Sequence, residues 1–197
     1  MINKLKTICK GFTLIETLLA VLLLSTAIAG PLTIASKGLT SAVVAKDQIG
    51  AFYLAQDAME YLRYKRDSNC LAAGATPNAC PASTWLSGLG TWSGSAWSGT
   101  CTSSDGSQTC QVDSIQDTAT ACTGACAPLT YNSSLGYFGY AVTSGWVQTP
   151  QRYVRTVKIT TPFGGNNGEA KIEITVTWTT GSLSHTITMR ENLLNWQ

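Results

Sequence analysis

The stretch Lys10-Gly11-Phe12-Thr13-Leu14-Ile15-Glu16, followed by twenty uncharged residues from Thr17 to Ser36, decides how the rest of the chain is read. Leu, Ala, Ile and Val dominate that run. A helix of about 20 such residues spans the roughly 30 Å hydrocarbon core of a bilayer. Lys4, Lys6 and Lys10 precede it, and no further lysine or arginine follows until Lys37. The positive-inside rule therefore places the N-terminus in the cytoplasm and the bulk of the chain outside it. Glu16 is the anomaly, because a carboxylate in a membrane helix costs about 2.5 to 3.5 kcal/mol at the bilayer centre and calls for a partner. A cut between Gly11 and Phe12 would supply one: the new Phe12 ammonium would lie one helical turn from Glu16, within one subunit or across to its neighbour. The rival reading is a secretory signal peptide with Ala27-Ile28-Ala29 as its A-x-A cleavage site.

Counted outward from this segment, the chain has 197 residues, of which 44% are hydrophobic and 12% charged, with seven cysteines and a formal net charge of +2. That composition is too apolar for a disordered chain. No run of five like charges occurs, which excludes a free acidic or basic binding tail. Cys9 stands alone, whereas Cys70, Cys80, Cys101, Cys110, Cys122 and Cys126 share one window of 57 residues. Removal of residues 1–11 would leave six cysteines and ten basic against eleven acidic side chains, changing the charge from +2 to −1.

The Lys10–Glu16 segment resembles the prepilin motif of type IV pilins and type II secretion pseudopilins: a basic residue, Gly, Phe, Thr-Leu-Ile, Glu, then an uninterrupted apolar helix. The resemblance implies cleavage after Gly11 by a prepilin peptidase and methylation of Phe12. It implies also that Glu16 pairs with the Phe12 amine of an adjacent subunit during assembly. Partners implied in the same way are other pilin or pseudopilin subunits, the peptidase, an inner-membrane assembly platform, and membrane lipid before assembly.

Beyond the apolar run, Gly30-Pro31 is expected to kink or locally melt the helix, since proline removes one hydrogen bond and crowds the preceding turn. Past Lys37 the pattern turns amphipathic. Ile49, Phe52, Ala55, Met59 and Leu62 recur at helical spacing, with Lys46, Asp57 and Glu60 opposite. The helix is expected to end near Asp67-Ser68-Asn69.

Between Arg66 and Arg152 there is no Lys or Arg, and the window from Cys70 to Cys126 holds eighteen Ser or Thr, seven Gly, and only Asp105, Asp113 and Asp117 as charges. Such a segment buries too little to order itself and needs staples. Three disulfides are expected; of the fifteen connectivities open to six cysteines, nearest-neighbour pairing is the working guess because each bond then closes a short loop. Zinc is disfavoured because only Cys122-x₃-Cys126 has ligand spacing, and calcium because the three aspartates form no dense acidic loop. No metal or cofactor is expected. Trp85, Trp92 and Trp97 are candidate surface contacts for a sugar or a partner; the alternative is that they plug a small local core.

From Ala170 to Thr179 the alternation is strict, with Ala170, Ile172, Ile174, Val176 and Trp178 on one face of a half-buried strand. Tyr153, Val157 and Ile159 repeat the pattern before the connection Pro162–Gly168, and Leu183, His185, Ile187 and Met189 continue it afterwards. Tyr137 to Val147 is a further candidate strand. His185 is expected to be a packed, hydrogen-bonded histidine, and Arg155 to sit at an edge, snorkelling or paired. The last hairpin resembles, less specifically, that of minor pilins of the pilus-modification type and of minor pseudopilins.

The expected fold is α+β of the type IV pilin kind, a long N-terminal helix packed on a C-terminal antiparallel sheet with a disulfide-rich insertion. Its segments are a leader over 1–11, a transmembrane and assembly helix over 12–36, an amphipathic helix over 37–69, a cysteine-rich region over 70–128 and the sheet over 129–197. The expected function is that of a non-enzymatic minor pilin-like subunit in the bacterial inner membrane and then in a filament. Type II secretion and competence DNA uptake are alternatives within the class. A secreted adhesin or carbohydrate-binding module is the alternative outside it. DNA is only weakly supported as a partner, because Arg152, Arg155, Lys158 and Lys171 make no basic stripe.

Overall fold

A computed structural model describes residues 11–74, 80–162 and 167–195. The leader other than Gly11, including Cys9, lies outside the described residues, as does the central part of the Pro162–Gly168 connection. Among the described residues, one helix, α1 (Leu14–Ala72), comes first, and eleven strands follow. The chain divides after Val44 into two compact units. The first holds the apolar part of α1. The second holds the remainder of the helix and all the strands, and there the helix packs on antiparallel sheet.

Thr13 starts the helix. Its hydroxyl accepts a hydrogen bond from the Glu16 amide at 3.3 Å and its carbonyl accepts the Thr17 amide at 3.2 Å, so Thr13-x-x-Glu16 has the spacing of a capping box. The helix then continues through Gly30 and Pro31 without interruption, and the local melting expected there does not occur. It also runs past Asn69 to Ala72. Tertiary contacts hold that last turn: the Asn69 amide donates to the carbonyls of Trp85 (3.2 Å) and Ser87 (2.9 Å), and Cys70 is bonded to Cys80.

In the second unit the buried face of α1 is Ala51, Leu54, Ala55, Ala58, Met59, Tyr61 and Leu62. The stripe expected from spacing is rotated, because Ile49 and Phe52 remain exposed. Three alanines on the covered side let the helix backbone lie close to the sheet, which bulkier side chains in those positions would prevent. Burial of these residues against Val157, Ile159, Ile172, Ile174, Val176 and Leu193 makes the core.

The cysteine-rich window is more regular than a loop. It contributes β1 (Thr91–Trp92), β2 (Trp97–Ser98), β3 (Thr102–Ser103), β4 (Cys110–Asp113) and β5 (Thr118–Ala121). Next come β6 (Thr130–Asn132), β7 (Tyr137–Gly139) and β8 (Trp146–Gln148), which form a separate three-stranded sheet in the order β7-β6-β8. The single strand expected over Tyr137 to Val147 is thus two short strands. Gly145 adopts φ +91°, a conformation that breaks a strand and suits glycine.

The long strands are β9 (Val154–Thr160), β10 (Glu169–Thr180) and β11 (Leu183–Leu194). The main sheet runs β11-β10-β9-β4-β5, with β3 pairing alongside β9 in parallel. β10 and β11 pair without slippage from Glu169↔Leu194 to Thr180↔Leu183, joined by Gly181-Ser182. Gly181 supplies the positive φ (63°) that a two-residue hairpin requires. Within the cysteine-rich window, Gly90 lies directly under Thr102, and any side chain there would collide with it.

Candidate functional site

Two places concentrate unusual chemistry, the uncovered start of α1 and the buried polar contacts that join the rest of α1 to the sheet. At the first, every residue from Gly11 to Val43 is exposed; Phe12, Leu14 and Ile15 are each at least 76% exposed. Glu16 lies in the first turn, at the positive end of the helix dipole, where a carboxylate is favoured. Gly11, Phe12 and Glu16 are therefore gathered at one helix terminus.

Four of the five hydroxyl side chains between Thr17 and Ser36 are turned onto the helix itself. Thr17 donates to the Leu14 carbonyl (2.8 Å), Ser25 to Val21 (2.7 Å), Thr26 to Leu22 (3.1 Å) and Thr33 to Ala29 (2.8 Å). This is the arrangement a helix needs where no water is present to satisfy hydroxyls. The helix is long and apolar enough to cross a membrane by length and composition.

The second place centres on Arg155. The residue is 1% exposed. Nη1 donates to Asp57 Oδ2 (2.5 Å) and to the Leu54 carbonyl (2.8 Å), and Nη2 donates to the Val112 carbonyl (2.6 Å). One guanidinium thus ties α1, β9 and β4 together. The expected edge location is overturned: β9 lies between β10 and β4. A cation can occupy the interior because a carboxylate and two backbone carbonyls replace its water.

Asp47 is a second buried polar residue, 3% exposed. Its carboxylate accepts hydrogen bonds from Gln151 Nε2 (3.1 Å) and Thr180 Oγ1 (2.8 Å), and its backbone carbonyl accepts one from the Tyr153 hydroxyl (3.1 Å). Burial, followed by the Asp47 charge, pushes the Tyr153 phenol up to about 12. Burial also raises the Tyr140 phenol, against the lowering effect of Arg155. The Tyr61 phenol is raised by burial and then by Asp117. Sequence reading missed Asp47, although it falls four residues before Ala51 and so shares the covered face of the helix.

The disulfides are Cys70–Cys80, Cys101–Cys110 and Cys122–Cys126. Each joins neighbours in sequence. Cys70–Cys80 anchors the helix end, and Cys101–Cys110 fastens the chain after β2 to the start of β4.

The tryptophans correct the surface-contact expectation. Trp85 is fully buried and Trp97 is 2% exposed, with its Nε1 donating to the Ala82 carbonyl at 3.0 Å. Trp92 is half-buried and packs on Trp97 at 5.6 Å between ring centroids. In a segment so poor in aliphatic residues, indoles are the main means of making a core, and burial wins over display. His185 stacks on Trp178 at 5.4 Å, as a packed histidine should, but its buried Nε2 has no hydrogen-bond partner among the described residues.

Among the described residues no group of three His, Cys, Asp or Glu is placed to hold a metal ion. No family model matches this chain, and neither a curated protein nor a solved structure matches it.

Proposed function

We propose that the chain is a minor pilin-like structural subunit of a type IV pilus or related filament. In this reading a prepilin peptidase cuts after Gly11 and methylates Phe12, the product resides in the bacterial inner membrane, and assembly packs its apolar helix against those of neighbouring subunits. The observation that carries the reading is the exposed apolar helix: from Thr17 to Ser36 it presents no charge, four of its five hydroxyls bond back to it, and one acid stands at its start. A bilayer covers such a surface before assembly, and like helices cover it afterwards. Glu16 sets the register because an unpaired carboxylate among apolar helices is costly. The pilin fold is part of the same proposal, supported by an N-terminal helix whose later half packs on antiparallel sheet.

The test is the mature N-terminus. Mass spectrometry of the protein from its native membrane is expected to find N-methylphenylalanine at position 12; a start at Gly30 would instead make it a secreted, disulfide-stapled module. Glu16→Ala is expected to leave processing intact and to abolish incorporation into filaments. Incorporation at the wild-type level would remove the assigned role of Glu16.

A further inference from the structure

On the sheet, away from α1's covered face, Arg152, Thr177, Thr179 and Ser184 line a cavity of about 380 Å³, together with Pro128 and Val154. We infer that this cavity is a binding site for a carboxylated saccharide of the uronic-acid type. The guanidinium would pair with the carboxylate, and the three hydroxyl side chains would meet sugar hydroxyls.

Arg152 has no hydrogen-bond or ion-pair partner for its side chain among the described residues, in contrast to Arg63, Arg66, Arg155 and Arg190, which are all paired. It also occupies the left-handed region at φ +46°. That conformation disfavours a residue with a Cβ, and no side-chain contact among the described residues offsets it. Of the other two non-glycine residues in this region, Asp117 does have such a partner, an ion pair with Lys65 at 2.8 Å. Arg152 is held by its amide, which donates to the Thr149 carbonyl at 3.1 Å, between the short sheet and β9.

Five of the other lining residues fit the same class of ligand. Thr179 Oγ1 donates to the Gln151 carbonyl at 3.2 Å, leaving its lone pairs to accept from a ligand hydroxyl. Thr177 and Ser184 have no side-chain partner among the described residues and are free to donate or accept. Pro128 and Val154 offer an apolar wall to the C–H face of a pyranose ring. The volume lies at the lower end of the range for small-molecule sites, roughly 300 to 1,000 Å³, and suits a mono- or disaccharide. A bare inorganic anion would leave the hydroxyls and the apolar wall unused.

The site is tested on the full-length chain in detergent by isothermal titration and saturation-transfer NMR. The probes are a glucuronate disaccharide, its uncharged glucose counterpart and inorganic phosphate. The expected result is binding of the glucuronate probe in preference to the other two. Arg152→Gly, which suits the left-handed backbone, is expected to weaken that binding about 10- to 100-fold, the size of one charge-assisted pair, while leaving thermal stability equal or higher. Thr177→Val is expected to weaken it by a smaller factor. Absence of glucuronate binding, equal binding of phosphate, or full binding by the folded Arg152→Gly variant would each overturn the assignment.

Discussion

The two halves of α1 make the most instructive comparison in the molecule. Both are regular helix, and both are rich in Ala and Leu. Between Leu14 and Val43 the apolar side chains are exposed all round, whereas from Asp47 onward one face is closed by the sheet and fixed by buried polar contacts. Helical regularity and a high content of Ala and Leu do not by themselves separate the halves. What separates them is whether the chain supplies its own cover: alanines that admit the sheet, and polar groups such as Asp47 and Asp57 that find partners on it. The first half has no such cover among the described residues, and its apolar side chains stay exposed.

The sharpest way to break this contrast is at Arg155. Asp57→Ala would leave a buried guanidinium with only carbonyl partners, and we expect a loss of about 3 kcal/mol in chemical denaturation, at the low end for a broken buried pair because Asp57 is partly exposed. Leu22→Ala, in the uncovered half, should leave that denaturation midpoint unchanged. A comparable shift from Leu22→Ala would mean that the two halves are not energetically distinct. Next in size, replacing Cys70 and Cys80 together by serine should cost roughly 2.5 to 3 kcal/mol from the loop closed, against about 2 for Cys122 and Cys126, which close a shorter one. Equal losses would show that the length of the closed loop does not set the difference.

Smaller still, Tyr153→Phe removes the hydrogen bond to the Asp47 carbonyl and should cost about 1 kcal/mol. In spectrophotometric titration it should also remove a phenol that stays protonated at pH 10 in the wild type. The smallest effect is expected at the sheet surface. The hydrogen bond from Arg190 holds the Glu173 carboxyl below its ordinary value of 4.5 in the folded protein. A carboxyl lowered on folding adds stability above its unfolded value, and that stability is lost as pH falls through the folded one. Arg190→Ala should therefore raise the Glu173 midpoint in an NMR titration and flatten the acid limb of stability near pH 4; an unmoved midpoint would assign the shift to Lys158 and Lys171 instead.

How much could be read in the sequence follows the range of the interactions. The apolar run, its acid and the alternation of Ala170 to Thr179 are local patterns, and the structure has a helix and a strand there. The rotated helix stripe was hidden because Ile49 and Phe52 are as periodic as Ala51 and Leu54, and only the sheet's distance of approach selects the smaller set. Arg155 could not be placed because its partners, Asp57 and the Val112 carbonyl, lie 98 and 43 residues away. The cysteine-rich window was legible as stapled but not as strands. Its β3 and β4 are ordered by pairing with β9, a segment some fifty residues downstream, and no period within the window announces that. Trp85 and Trp97 were ambiguous for the same reason, since an indole among serines reads alike whether it faces solvent or a distant strand.

The contacts along the covered half of α1 have a mechanical consequence. Asp47, Leu54, Asp57, Arg63 and Asn69 each bond to the strands or the stapled window, with Arg63 gripping Glu191 through both carboxylate oxygens, at 2.6 and 2.7 Å. These anchors are spread over about 33 Å of helix at 1.5 Å per residue. A pull along the helix axis would load them side by side, in shear, rather than one after another as in peeling. Tension entering through the helix would thus be shared among several attachments, with the Cys70–Cys80 bond as a covalent stop at the far end.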